Sequence, residues 1–185
     1  MLETFFPIFL HSYGGGGILS GFLHPLLGLD HLLAMLAVGI LSAQIGGRAL
    51  WTVPATFVGV MALGAFLGIF GLSLPLVEYG ITFSVLVLGI AIIFGSSIPE
   101  WAALIAVAFF ALFHGNAHGT EIPDITNTIG LLVAYILGFL IATAGLHVIG
   151  ALIGLLASRS KRGPTLMRIG GLVIALIGVM LIINI

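Results

Sequence analysis

Six predominantly apolar stretches, each long enough to cross a bilayer, constrain this chain more than any other feature. They run roughly Ile18–Ile45, Leu50–Phe70, Leu74–Phe94, Ile98–His118, Thr128–Ala157 and Leu166–Ile183. About 20 apolar residues span the hydrocarbon core as a helix, which satisfies its own backbone polar groups where water is absent. The connections carry turn chemistry: Gly46-Gly47, Gly71-Leu72-Ser73, Gly95-Ser96-Ser97, Ile122-Pro123-Asp124 and Ser158 to Pro164. The expected fold class is therefore all-α, a polytopic membrane protein of about six transmembrane helices forming one integral membrane domain over residues 1–185. Leu2–Tyr13 are expected to form a short interfacial or re-entrant piece, with a seventh N-terminal crossing as the alternative. Met1 to Gly17 lack Lys and Arg and do not read as a cleavable leader. The first and fifth stretches exceed the bilayer thickness, so tilting or kinking is expected, with Pro25 as the kink candidate.

Composition narrows the function classes. Apolar residues make up 61% of the chain, above the 45–50% usual in soluble proteins, and mean hydropathy is +1.34. A net charge of −1 offers no basic patch, so no nucleic-acid partner is expected. There is no cysteine, hence no disulfide, thiolate ligand or Cys nucleophile. Any metal must be held by His, Asp, Glu, carbonyls or Met. The single lysine, Lys161, lies in no G-x-x-x-x-G-K-[ST] loop, so ATP hydrolysis by that route is excluded. Arg48, Arg159, Lys161, Arg162 and Arg168 fall on one side of a six-crossing topology. The positive-inside rule makes that side cytoplasmic and both termini external. Trp51 and Trp101 sit at the inner helix ends, as interfacial anchors should.

Two polar clusters interrupt the apolar stretches. The first, His24-Pro25-Leu26-Leu27-Gly28-Leu29-Asp30-His31, sets two imidazoles and a carboxylate inside a membrane segment. An Asp at the centre of such a helix costs roughly 2.5–3.5 kcal/mol, and a coordinated cation would offset it. On an undistorted helix His24 and His31 share a face but stand roughly 10 Å apart, so either a kink closes them or they serve two successive sites. Asp30 is a ligand, or it accepts the ring proton of a ligating His and fixes its tautomer. In the second cluster His114 and His118 are spaced i, i+4, one turn apart on one face, and Glu121 continues that face at i+7. Together they point to a cation pathway through His24, Asp30, His31, His114, His118 and Glu121, with Glu78 either on the pathway or snorkelling. His147 is assigned to helix packing, Glu100 to a solvated interface, and His11 to a loop or the entry side. The glycine pairs Gly64/Gly68, Gly115/Gly119 and Gly150/Gly154 are read as close helix-packing sites; Gly28 and Gly115 could also expose carbonyls to the pathway. Three crossings per half would give a 3+3 inverted repeat.

These motifs resemble the HupE/UreJ family of bacterial nickel/cobalt permeases. The pattern His-Pro-x-x-Gly-x-Asp-His is met by His24, Pro25, Gly28, Asp30 and His31, and Phe-His-Gly-x-Ala-His-Gly-x-Glu from Phe113 to Glu121. The resemblance spans nearly the whole chain. It implies uptake of Ni²⁺ or Co²⁺, as substrate rather than cofactor, through a multi-pass protein of the bacterial inner membrane, and no enzymatic activity. The residues alone leave the metal open, since imidazole suits Ni, Co, Zn and Cu alike. A divalent cation gains roughly 4.6 kcal/mol per 100 mV on moving inward, enough to drive uptake without a coupled ion. An intramembrane zinc-dependent hydrolase and a small neutral-solute channel are the alternatives.

Overall fold

The computed structural model describes residues 17–122 and 128–185, and there the chain is helical, with no strand. The helices are α1 (Ile18–Leu27), α2 (Leu29–Ile45), α3 (Ala49–Ile69), α4 (Val77–Phe94), α5 (Glu100–Thr120), α6 (Ile129–Ser158) and α7 (Gly163–Ile183), with a 3₁₀ turn at Gly95–Ser97. Helices α3 to α7 are each long and apolar enough to cross a membrane, and α1 and α2 together, bent by 84°, reach the same length and apolarity as a broken span or a re-entrant pair. Leu2–Tyr13, His11 and Asp124 lie outside the described residues.

The packing is that of a protein whose solvent is lipid. Large apolar side chains such as Phe66, Ile105, Phe109, Leu156 and Leu176 are exposed, whereas His31, Ser42, Thr82, Ser84, His114, Asn116, His118, Thr143 and His147 are buried. Trp51 and Trp101 are exposed at the starts of α3 and α5. Those starts are tied together where the Thr52 hydroxyl donates to Glu100 Oε1 at 2.6 Å, so Glu100 is more than a solvated charge. At 30 residues, α6 is about 45 Å long and exceeds the hydrocarbon thickness, as its sequence implies.

One expectation is corrected. The first crossing does not kink at Pro25; α1 continues through it, and the chain bends by 84° between Leu27 and Leu29. Pro25 is carried inside α1 at the cost of one helix hydrogen bond, whereas Gly28 adopts an extended conformation (φ −80°, ψ 114°) that ends the ladder outright. The Gly28 carbonyl accepts from the Leu32 N–H and opens α2, and the Cα of Gly115 packs against α3.

Close glycine contacts set the helix registers. A Cβ on Gly115 would strike the Met61 carbonyl, one on Gly64 the Leu112 carbonyl, one on Gly39 the His147 carbonyl and one on Gly150 the Leu36 carbonyl. The α3–α5 and α2–α6 pairings therefore follow the same register, Gly115 and Gly39 corresponding on one side and Gly64 and Gly150 on the other. Helices α4 and α7 pair in addition, through Gly89 and Gly178.

Candidate metal pathway

The break at Gly28 decides the first cluster. Asp30 falls in the first turn of α2, and its Oδ1 accepts two bonds from His31: the backbone N–H at 2.7 Å and ring Nδ1 at 2.9 Å. A carboxylate there favours the helix N-terminus. The second bond puts the ring proton on Nδ1 and leaves the lone pair on Nε2, which is buried and without a hydrogen-bond partner. Gly28 permits this clasp, because a Cβ there would come within 3.0 Å of Asp30 Oδ1 and 3.3 Å of His31 Nδ1.

The bend also brings His24 back toward His31, with ring centroids 6.3 Å apart, well inside the roughly 10 Å of a straight helix. Both meet the α5 histidines edge-on. His24–His118, His31–His118 and His31–His114 have centroid separations of 4.8, 4.9 and 4.7 Å. The two sequence clusters, about ninety residues apart, are thus one structure.

His114 is oriented from α4. The Ser84 hydroxyl donates its one proton to the Ile81 carbonyl at 2.6 Å, so at 2.9 Å from His114 Nε2 it accepts the ring N–H. The lone pair of His114 then sits on Nδ1, which is buried and unpartnered, as are both ring nitrogens of His118. His118 stacks on Phe139 at 4.7 Å, and Tyr135 lies edge-on to His24 at 6.1 Å, so α6 walls the cluster. Glu121 caps the C-terminus of α5 just beyond the span, its Oε2 3.7 Å from His24 Nε2. Partial removal from water and the Glu78 carboxylate push the Glu121 pKa above the ordinary glutamate value. Glu78 itself is exposed in the first turn of α4 and acts on the cluster only at a distance.

The structure therefore gathers His24, Asp30, His31, His114, His118 and Glu121, and leaves Glu78 at the edge. As placed, no three His, Asp or Glu side chains among the described residues converge to hold a metal ion; the rings face one another edge-on instead. Sequence reasoning missed Ser84, Phe57, Tyr135 and Phe139. Only Ser84 carried a signal, as one of two polar residues, with Thr82, between Gly80 and Phe94. It also missed the work of Asn116, whose side chain clamps the α3–α4 connection by accepting from Leu74 N–H and donating to the Leu72 carbonyl, both at 2.8 Å.

Residues 1–181 match the family model for HupE / UreJ protein. The chain is 45% identical over 182 residues to Protein HupE of Rhizobium leguminosarum bv. viciae, covering 96% of this chain and 92% of that protein. No solved structure matches. With both motifs brought together inside a bundle of apolar helices, the chain belongs to the HupE/UreJ family of multi-pass membrane permeases.

Proposed function

We propose that this protein carries a divalent transition-metal cation, Ni²⁺ or Co²⁺, across the bacterial inner membrane into the cell. The observation that carries the reading is a run of buried imidazole nitrogens lacking hydrogen-bond partners: His31 Nε2, His114 Nδ1 and both nitrogens of His118, so that each of the three rings offers one free lone pair. Unpaired buried polar atoms cost free energy, and a borderline cation that favours imidazole offsets that cost. Glu121 and His24 form the entry end, and Asp30 with His31 lies deeper. The basic residues, at the opposite helix ends, put that far end in the cytoplasm and both termini outside.

The geometry favours a carrier over a hydrolase. A catalytic zinc site needs three protein ligands around one centre, whereas here the rings step along the bundle. Hand-over between donors that are neither closed nor remote is what a pathway requires. Uptake of labelled Ni²⁺ into proteoliposomes tests the reading. His24→Ala, Asp30→Ala and His118→Ala are expected to lower uptake sharply at unchanged protein levels. Wild-type uptake by all three would refute it.

A further inference from the structure

His147 is a second place where a buried imidazole lacks a partner. It lies in mid-α6, 2% exposed, with neither Nδ1 nor Nε2 hydrogen-bonded among the described residues. A histidine serving helix packing should find an acceptor across the interface; this one meets the edge of Phe57, ring centroids 5.1 Å apart. Phe57 also contacts His114, at 5.5 Å, so the phenyl ring separates His147 from the last imidazole of the cluster. Beyond it, His147 is the one polar side chain lining an otherwise apolar groove of about 380 Å³ between α3 and α6, which extends toward Trp51.

Two more donor atoms stand at the same crossing. Thr143 is one turn before His147 on the same face of α6, and its hydroxyl lies 3.9 Å from Met61 Sδ on α3. Both are fully buried. In the register that matches Gly115 to Gly39, Met61 and His147 correspond, each offering its carbonyl to the glycine of a partner helix. Phe57 and Thr143, four residues earlier on each helix, are equivalent too. The Met61–Thr143 and Phe57–His147 contacts are then counterparts about one internal two-fold. Transporters built from inverted repeats hold their substrate at that interface, near the bilayer midplane.

We infer that His147, with the Met61 thioether and the Thr143 hydroxyl one turn away, is a second metal station at the α3–α6 crossing beside Phe57, taking a late first-row divalent cation. The inference rests on the permease reading and adds to it a site of different character. The outer cluster combines imidazole with carboxylate; the inner station is uncharged and contains sulfur. Thioether disfavours Mg²⁺ and Ca²⁺, and lacking a counter-charge the station holds a dication weakly, as a site that must release its ion should.

The test uses the full chain in nanodiscs loaded with excess NiCl₂. With no cysteine among its residues, any sulfur neighbour of Ni²⁺ must come from methionine. X-ray absorption at the nickel edge is expected to show a sulfur neighbour that Met61→Leu abolishes and Met35→Leu leaves in place. His147→Leu is expected to bind one fewer ion per chain and to lower proteoliposome Ni²⁺ uptake about tenfold or more. Because Met61→Leu is nearly isosteric, its spectrum reads the station even if His147→Leu misfolds. A wild-type spectrum without sulfur, or one unchanged by Met61→Leu, overturns the station. If uptake then still depends on His118, the permease reading stands alone; a wild type that neither binds nor transports Ni²⁺ ends both.

Discussion

Removing the Asp30 carboxylate should weaken metal binding by acting through His31. One oxygen, Oδ1, takes two N–H groups, at 2.7 and 2.9 Å. The ring bond fixes the tautomer that leaves Nε2 free to ligate. Hydrogen bonds to a charged partner contribute about 1.5–3 kcal/mol, which is about tenfold to a hundredfold in Kd. Asp30→Ala should therefore weaken Ni²⁺ binding by that factor, measured calorimetrically on the chain in nanodiscs. Asp30→Asn keeps an oxygen acceptor but no charge, and should fall between wild type and Asp30→Ala. The backbone bond is separable: losing it removes an interaction at the start of α2 worth about 1 kcal/mol, read as a lower Tm. Wild-type affinity in Asp30→Ala would refute the orienting role. Equal losses in Asn and Ala would show that charge alone matters and the hydrogen bond does not.

Three further outcomes follow from the same geometry. Ser84→Ala leaves His114 Nε2–H without its acceptor, and should cost about 1–3 kcal/mol of stability and shift the His114 tautomer, visible by nitrogen NMR of the ring. A Cβ on Gly68 would meet the Asn116 carbonyl oxygen at 2.7 Å where 3.4 Å is the ordinary lower limit, so Gly68→Ala must part α3 from α5 by about 0.7 Å. It should lower Tm by an overpacking cost of about 1–3 kcal/mol, whereas Gly59→Ala on the same helix, with nothing within 4 Å, should be neutral or stabilising; the reverse order of melting temperatures would contradict the packing argument. With its pKa raised, Glu121 stays protonated to a higher pH than an ordinary glutamate. The affinity difference between wild type and Glu121→Gln should be largest above that pKa and vanish below it, and a difference independent of pH would exclude a role for the carboxylate charge.

The six crossings were readable because hydropathy along a chain is one-dimensional information: an apolar run of sufficient length crosses wherever its neighbours lie. The i, i+4 spacing of His114 and His118 was readable for a similar reason, being local to one helix. The break at Gly28 was not, since Pro25 is the stronger local signal against helix. What favours Gly28 is the Asp30–His31 clasp, which a Cβ there would crowd at 3.0 and 3.3 Å.

By itself, then, the sequence determined that the chain is built of helices apolar and long enough for a bilayer, and which side chains are too polar to be there without a purpose. Tertiary structure alone decided that the two clusters are one, that Ser84 and Asp30 set the tautomers of His114 and His31, and that His147 packs on Phe57 one turn from the Met61–Thr143 contact. Such contacts depend on the rotation and depth of each helix against its neighbours. Those are set by where backbones meet at Gly39, Gly64, Gly115 and Gly150, a matter of which glycine faces which carbonyl that no spacing within a single helix encodes.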